Sequence, residues 1–213
     1  MAFRIVIGDV TIGIQGQDFA YIFSVGMGGM ESLYKDGKEW LYRAPRPAFW
    51  RAATDNDRGN GFVFRSAVWS AADRFVRCVK VTARMDEQEI SMPPAPENNK
   101  YNGDETCDRF EISYTYETPT VPVTEVTVSY LVESDGRIHV QVDYLGKQGL
   151  PELPVLGLRF LMPTAAEGYT YEGLSGETYP DRMAGGIHGV YEVQGLPVTP
   201  YMVPQDCGMH MQT

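Results

Sequence analysis

Alternating apolar and polar positions dominate the middle of the chain. In residues 110–117 and 124–132 nearly every second side chain is apolar or aromatic, and polar side chains lie between them. This period of two is typical of β-strands with one buried face. Ser134-Asp135-Gly136 separates the second segment from a third at 138–144, and its Asp-Gly pair tolerates positive φ. The pattern predicts an antiparallel hairpin.

Weaker versions of the same pattern predict more strands on both sides of this hairpin. Asp36-Gly37 predicts a second hairpin, between strands at 30–34 and 39–42. Ser66–Phe75 is the best helical candidate, and 91–104 is predicted to be a long surface loop. Short strands joined by turn residues favour an all-β antiparallel sandwich or barrel, in one domain over residues 1–213. The remaining predicted strands are 4–7, 10–14, 19–24, 76–83, 155–162 and 169–172.

Composition and charge restrict the kinds of molecule that this chain can bind. The 213 residues include 18 basic and 28 acidic ones, which gives a net charge of -10. That charge repels nucleic acid, and no basic run interrupts it. No apolar stretch is long enough for a bilayer, and the N-terminus lacks the features of a signal peptide. We therefore expect a cytoplasmic protein, with no nucleic-acid or membrane partner, that binds a neutral ligand such as a sugar or another protein.

The cysteines and histidines give no pattern of a metal or catalytic site. The three cysteines are odd in number and widely spaced, which argues against a disulfide framework or a zinc site and favours reduced thiols. The three histidines show no HxH or HExxH spacing. Neither a metal site nor histidine-based catalysis is predicted. These residues are Cys78, Cys107, Cys207, His139, His188 and His210.

The segment Pro47–Gly61 is the first candidate for chemistry, because an aromatic pair and an arginine precede an acidic, glycine-rich loop. One interpretation is a turn in which Asp55, Asn56 and Asp57 cap their own backbone. A calcium loop is a second interpretation, but only its first and third positions fit an EF-hand pattern. The third is the border of a sugar site. Trp50 is expected in the core.

Two later segments, 171–182 and 198–208, combine glycine or proline with polar and aromatic residues. The first is either the end of a strand, with Glu177 or Asp181 paired to Arg182, or a loop that faces a ligand or an interface. The second fixes an irregular connection and by itself indicates little.

Paired carboxylates could in principle serve a glycosidase, which needs two of them on either side of the scissile bond. Asp55 with Asp57, and Glu177 with Asp181, are formal candidates. Any acidic chain offers such pairs, so the signal is weak. The chain has no GxSxG motif, and nucleophilic triads find no support.

Three motifs, in order, resemble signatures of the last domain of family-two β-galactosidases. Phe49–Asp57 with Gly59 resembles FWRAPTDND-x-G, Gly173–Arg182 resembles GLGP-x-E-x-YPDR, and Thr199–Gly208 resembles TPY-xx-PQE-x-G. The chain departs from these signatures at three places, none of which breaks the match: Ala53 replaces a proline, Ser175-Gly176 replaces Gly-Pro, and Asp206 replaces a glutamate. The resemblance runs from near Met1 to Thr213. It is closest to the separately encoded small subunit of lactic-acid-bacterial heterodimeric enzymes.

The resemblance implies a large antiparallel "supersandwich" similar to galactose mutarotase. It implies a partner large subunit with a TIM barrel, which carries both catalytic glutamates and the Mg²⁺ ligands. The reaction would be retaining hydrolysis of terminal β-galactosides such as lactose. This chain would hold no catalytic residue, metal ligand or cofactor, and would form one wall of the site and the subunit interface.

Two groups of site residues follow from the resemblance. The family's loop after the DND turn is mobile and lies near the active site, and the glycines Gly59 and Gly61 make a hinge plausible here. The family's domain continues beyond Thr213 and there supplies a tryptophan that reaches the sugar, so we expect an incomplete domain. The active-site-adjacent residues are Arg51, Asp55, Asn56, Asp57 and Gly59; the interface or ligand-facing residues are Glu177, Tyr179, Asp181 and Arg182.

Two other functions stay open. A stand-alone carbohydrate-binding module would need an exposed aromatic platform. A mutarotase-like enzyme would need a glutamate base with histidine partners, and the scattered histidines make that reading weak.

Overall fold

The computed structural model describes residues 2–92, 103–175 and 186–195. Antiparallel strands dominate these residues, which confirms the all-β prediction. The chain divides into two compact units: Met1–Trp50 with Val68–Pro163, and Arg51–Ala67 with Thr164–Thr213. The single domain over 1–213 stays a prediction. No helix among the described residues is long and apolar enough to cross a membrane.

The described residues form short elements throughout. Two α-helices are α1 (Asp55–Asn60) and α2 (Phe62–Arg65), and two 3₁₀ turns cover Ala67–Trp69 and Ala72–Arg74. The strands are β1 (Phe3–Ile7), β2 (Thr11–Gln15), β3 (Phe19–Ser24), β4 (Gly29–Lys35), β5 (Lys38–Glu39), β6 (Arg43–Ala48), β7 (Arg77–Met85), β8 (Gln88–Ile90), β9 (Thr106–Cys107), β10 (Arg109–Glu117), β11 (Glu125–Glu133), β12 (Ile138–Asp143), β13 (Gly157–Leu161), β14 (Gly168–Ser175) and β15 (Ile187–Gln194).

The first unit is a sandwich of two antiparallel sheets. One has the strand order β5-β4-β3-β2-β1-β9 and the other β12-β11-β10-β7-β8. The ring of Phe23 from the first sheet lies 5.7 Å from the rings of both Phe110 and Tyr130 in the second. All three side chains are completely buried. The alternation along β10 and β11 therefore builds a core between the sheets, as the period of two predicts.

Both predicted hairpins are confirmed, and their turns show why. Asp36 and Gly37 have φ values of 53° and 77°, the left-handed pair that a two-residue hairpin turn requires. In the β11–β12 turn, Gly136 has a φ of 80° and its N–H donates to the Glu133 carbonyl at 2.9 Å. The Asp135 carboxylate accepts from the backbone N–H of Arg137 at 3.0 Å. Each turn thus uses the Asp-Gly chemistry on which its prediction rested.

Hydroxyl groups pair across the outer face of β10 and β11. Ser113 and Ser129 lie directly opposite each other with their Oγ atoms 2.7 Å apart. Thr115 and Thr127 are likewise opposite, with their Oγ1 atoms 3.1 Å apart. These side chains are half-buried, and each hydroxyl satisfies its partner.

The predicted helix at Ser66–Phe75 is wrong. The segment forms the two 3₁₀ turns, and Ala71 between them has a φ of 61°, which interrupts any continuous helix. Trp69 is completely buried, and its indole N–H donates to the Pro151 carbonyl at 3.2 Å. Tertiary burial of this tryptophan therefore decides the local structure. Trp50, expected in the core, is half-buried and packs against the core cluster.

Strand β6 was not predicted. It contains Pro45 and Pro47, which lack the N–H that a central strand must donate. The strand pairs with β13 alone, a two-stranded arrangement that tolerates proline. Strand β12 also differs from expectation, because Val140 on its predicted apolar face is 40% exposed. This strand is a sheet edge.

The two described cysteines, Cys78 and Cys107, are free thiols. Burial raises the pKa of the Cys107 thiol to about 12, and the neighbouring Asp86 adds to the rise. Burial also raises the pKa of the Cys78 thiol. Both stay protonated and unreactive at neutral pH. Cys207 lies outside the described residues.

Candidate functional site

The acidic turn of the first motif is the start of helix α1. Thr54 has extended backbone angles and is the N-cap. Its hydroxyl accepts from the Asp57 N–H at 3.1 Å, and the Asp57 carboxylate accepts from the Thr54 N–H at 2.8 Å. This reciprocal pair is a capping box, which satisfies two backbone donors that the first turn of a helix leaves unpaired. The Asp57 carboxylate thus caps the backbone of its own turn at Thr54, which agrees for Asp57 with the capped-turn interpretation of the sequence.

Arg51 fixes the same carboxylate from the other side. Its Nη1 donates to Asp57 Oδ2 at 2.5 Å and its Nη2 to Oδ1 at 3.3 Å, a two-pronged contact. The guanidinium also lies 5.8 Å from the centre of the Phe62 ring. Asp57 is only 8% exposed and the Arg51 side chain 28%, so this ion pair is partly shielded from water. One arginine therefore ties the chain before α1 to the helix itself.

These contacts decide the ionisation of Asp57. The Arg51 guanidinium holds the pKa of that carboxyl below its usual value. Burial acts in the opposite direction, while the Thr54 N–H lowers the pKa further. A carboxylate that is ionised at neutral pH and has its oxygens already occupied is suited to holding a loop, and unsuited to donating a proton.

The other residues of the motif are more exposed. Asp55 accepts from Arg58 at 2.8 Å in an exposed pair within α1, and Asn56 is exposed beside them. Gly61 has a φ of 71° and ends α1 in the left-handed region. Gly59 lies inside α1, with open space where a side chain would point. Of the two glycines thought to form a hinge, only Gly61 has a conformation that favours glycine.

A metal site finds no support at this turn. Asp57 is held by Arg51 and Thr54, and Asp55 pairs with Arg58. Within residues 2–92, 103–175 and 186–195, no group of three or more His, Cys, Asp or Glu side chains could hold a metal ion. Among the described residues, the Asp55–Asp57 turn therefore has no third His, Cys, Asp or Glu side chain to support the calcium interpretation.

The second motif begins on β14, which pairs with β15 in register. Tyr171 lies opposite Tyr191 with stacked rings 5.4 Å apart, and Tyr169 lies 6.1 Å from Tyr171. The three rings form a partly exposed tyrosine row in the second unit. Residues 176–185 and 196–213 lie outside the described residues, and with them Glu177, Tyr179, Asp181, Arg182 and the third motif.

Residues 15–213 match the family described as beta galactosidase small chain. The chain belongs to the β-galactosidase small chain family. The match covers all three motifs and confirms the resemblance on which the sequence expectations rest.

Relatives of this chain are of two lengths. A β-galactosidase small subunit from Latilactobacillus sakei is 60% identical over 209 residues, which cover 98% of this chain and 66% of that protein. A β-galactosidase from Clostridium acetobutylicum is 38% identical over 89% of this chain and 19% of its own length. One from Streptococcus thermophilus is 32% identical over 99% of this chain and 19% of its own. This member of the small chain family thus spans 66% of the first relative and about a fifth of the others.

Sequence reasoning found Arg51 and Asp57, which the structure brings together, but it missed Thr54 and Phe64. Thr54-x-x-Asp57 has the spacing of a capping box, and that signal could have predicted the helix. Phe64 in α2 is 86% exposed, and nothing in the sequence separates it from the buried Phe62 two residues before it. In this family member, the segment after the motif is therefore helical and presents one aromatic ring to solvent.

Proposed function

We propose that this chain is the small-chain component of a β-galactosidase that hydrolyses terminal β-galactosides such as lactose. The observation that carries the proposal is the family match over residues 15–213, together with the printed name of the Latilactobacillus sakei relative. The longer β-galactosidases contain the matching segment within one chain, which favours a partner large subunit for a separate small chain. The assembly would act in the cytoplasm, where free thiols such as Cys78 and Cys107 persist.

The family resemblance implies how the two chains divide the catalytic work. Retaining hydrolysis needs one carboxyl that donates a proton and one that acts as nucleophile. Asp57 is held ionised by Arg51, and Asp55 lies at the exposed surface of α1. In keeping with the family resemblance, we assign both catalytic carboxylates and the Mg²⁺ site to the large subunit, and no cofactor to this chain; the states of Asp57 and Asp55 agree with that assignment.

The loop that starts at Arg51 would then border the active site. The Arg51–Asp57 contact and the capping box give the loop a fixed base. Arg51, Asp55, Asn56, Asp57 and Gly59 are the residues that we place beside the sugar or the large chain. Glu177, Tyr179, Asp181 and Arg182 are proposed to face the ligand or the subunit interface.

Reconstitution tests the proposal. The purified chain is mixed with a β-galactosidase large subunit, and hydrolysis of a nitrophenyl β-galactoside is followed. We expect activity only in the mixture. The small subunit of the Latilactobacillus sakei relative, in place of this chain, shows whether the large subunit is competent. Activity with that relative and none with this chain would contradict the proposal.

Arg51→Gln sharpens the same assay. Loss of the contact that fixes the loop should lower kcat by about ten- to a hundredfold, since a misplacement of about 1 Å can cost about a hundredfold. Sedimentation of the mixture reports whether the two chains still assemble. Arg77→Gln is the matched control, because Arg77 forms an exposed pair with Glu117 in the first unit. Equal activities of the two variants would show that Arg51 has no positioning role at the active site.

The tyrosine row supports a second candidate, a carbohydrate-binding module. Aromatic faces can stack on the apolar face of a sugar ring, and Tyr169, Tyr171 and Tyr191 are partly exposed. Titration of the isolated chain with lactose separates the two functions. Binding with a Kd of about 1 mM or tighter, lost in Tyr169→Ala, would favour the module. No binding without the large subunit would favour the enzyme component.

A further inference from the structure

The first unit contains a cleft of about 600 Å³ with an unusual charge. Four arginines and one aspartate line it, an excess of three positive charges, although the whole chain has a net charge of -10. The remaining lining residues are small or apolar. The arginines are Arg43, Arg46, Arg74 and Arg159.

Strand pairing brings these like charges together. Arg46 of β6 lies directly opposite Arg159 of β13 in the antiparallel register. A register shift between Arg159 and Leu161 follows, and Arg43 pairs with Leu161 beside the same cleft. The second 3₁₀ turn adds Arg74. Like charges directly opposite each other on neighbouring strands are destabilising, so an anion between them would relieve an unfavourable term of the fold.

The protein satisfies two of the four guanidinium groups. Arg159 donates to the Asp73 carboxylate at 2.9 Å. Arg46 donates to the Met27 carbonyl at 3.3 Å, and its guanidinium lies 5.6 Å from the centre of the Tyr116 ring. These contacts fix the two side chains in place, and only one of them neutralises a charge.

The other two arginines keep their donors available. Arg43 and Arg74 are exposed, and neither guanidinium group has a hydrogen-bond or ion-pair partner in the described part of the chain. Each guanidinium offers a planar fork of N–H groups that matches two oxygens of a carboxylate or a phosphate. The cleft therefore combines two preorganised arginines with two whose guanidinium groups have no acceptor among the described residues.

A second cleft of the same unit shows that this charge excess is not general. Its lining contains Arg84, Arg109, Glu87 and Glu111, with equal numbers of basic and acidic groups. Arg109 lies 4.0 Å from Glu87 there. That cleft is already neutral, so it provides an internal comparison for anion binding.

We infer that the cleft of Arg43, Arg46, Arg74 and Arg159 binds a small oxyanion: phosphate, or a phosphoryl or carboxylate group of a small molecule. Its volume falls in the range of about 300–1,000 Å³ that small-molecule sites occupy. The charge-assisted N–H···O contacts that it offers are about twice as strong as neutral ones. This site goes beyond galactoside hydrolysis, because it requires neither the sugar nor the large subunit.

Titration of the ¹⁵N-labelled full chain tests the inference. Inorganic phosphate and citrate are added in separate series at constant ionic strength, with chloride as the reference anion. We expect saturable one-site binding of at least one of the two, with shifts of the Arg43, Arg74 and Arg159 Nε–H signals. A phosphate response alone identifies a phosphoryl site, and a citrate response alone identifies a carboxylate site. Absence of saturable binding in both series would overturn the inference.

Two double variants distinguish specific binding in the arginine cleft from a general effect of positive charge on the protein surface. Arg43→Gln/Arg74→Gln should weaken binding of the responding anion by about tenfold or more, because two charged donors are lost. Arg84→Gln/Arg109→Gln removes the same charge from the neutral cleft and should leave the affinity within about twofold, the residual effect of net charge at working ionic strength. Thermal unfolding confirms that both variants fold. Equal weakening in the two would overturn the site.

Discussion

The sandwich of the first unit and the capped segment 51–66 of the second are stabilised by different physics. In the sandwich, large side chains such as Phe23 and Phe110 are completely buried between two sheets. Each such burial contributes about 1.5–3 kcal/mol. The capped segment has helices of six and four residues, whose described side-chain contacts are mostly polar. Many redundant apolar contacts give a rigid scaffold, while a few polar ones give a segment that opens more easily.

The largest expected effect comes from breaking the scaffold. Phe23→Ala should lower the free energy of unfolding by about 3–5 kcal/mol, because it leaves a cavity beside Phe110 and Tyr130. Denaturation in guanidinium chloride measures the loss. Phe64→Ala is the matched control: that ring is 86% exposed, and its loss should change stability by less than about 0.5 kcal/mol. Similar losses in both variants would refute the comparison.

The next effect tests the polar contacts of the capped segment. Asp57→Ala removes the capping box and the Arg51 pair and should cost about 2 kcal/mol locally. We expect faster amide exchange and faster tryptic cleavage after Arg58, with the amides of the sandwich unchanged. Asp55→Ala removes an exposed pair and should cost at most about 0.5 kcal/mol. If opening spreads to the sandwich, the segment is not an independent region.

Acid should open the same segment. The pKa of Asp57 is lowered in the folded chain, so its contribution is complete above the unfolded value of about 3.9 and is lost as pH falls through the folded value. The Thr54 amide should therefore keep its protection from pH 7 to 5 and lose it only below about pH 4. Exchange measured against pH in the native chain and in Asp57→Asn tests this, since the variant should show no such step.

The two glycines of the segment should respond with opposite signs. Gly61→Ala places a side chain at a φ of 71° and should cost about 1 kcal/mol. Gly59→Ala, inside α1 with open space around it, should stabilise the helix by up to about 1 kcal/mol. Amide exchange within α1 measures both. A loss in Gly59→Ala would show that this glycine has a conformational role that the folded geometry does not reveal.

An effect of similar size to that of the glycine variants is expected inside the sandwich, where two buried tyrosines differ in one hydrogen bond. Among the described residues, Tyr130 has a buried hydroxyl with no hydrogen-bond partner. Tyr114 donates to the Gly29 carbonyl at 3.3 Å. Tyr130→Phe should be neutral or stabilising by up to about 1 kcal/mol, whereas Tyr114→Phe should cost about 0.5–1.5 kcal/mol. Thermal unfolding measures the stability of both variants. A larger loss of stability in Tyr130→Phe than in Tyr114→Phe would contradict the assigned hydrogen bonds.

The fold was predictable where local chemistry and burial agree. The alternation in residues 110–132 and the Asp36-Gly37 turn specify strands and hairpins without help from distant residues. The prediction of a helix at Ser66–Phe75 was wrong because burial of Trp69 overrides helical propensity. Strand β6 was missed because its two prolines argue against a strand, and only its edge position makes them acceptable.

The site was predictable in part. Arg51 and Asp57 lie six residues apart in one motif, so local reasoning could pair them. The arginine cleft could not be found in this way. Arg46 and Arg159 are more than a hundred residues apart and meet only through the β6–β13 register, which no local pattern encodes. Contacts made by strand pairing between distant segments are where sequence reasoning stops.

The hydroxyl pairs on the outer face of β10 and β11 have an evolutionary consequence. Loss of one hydroxyl, at Ser113 for example, leaves the group at Ser129 without its partner in a half-buried position. Replacement of both by apolar residues removes the penalty. We therefore expect positions 113 and 129, and likewise 115 and 127, to drift in concert among descendants of this chain. Such correlated substitutions would reveal from sequences alone that the two strands are neighbours.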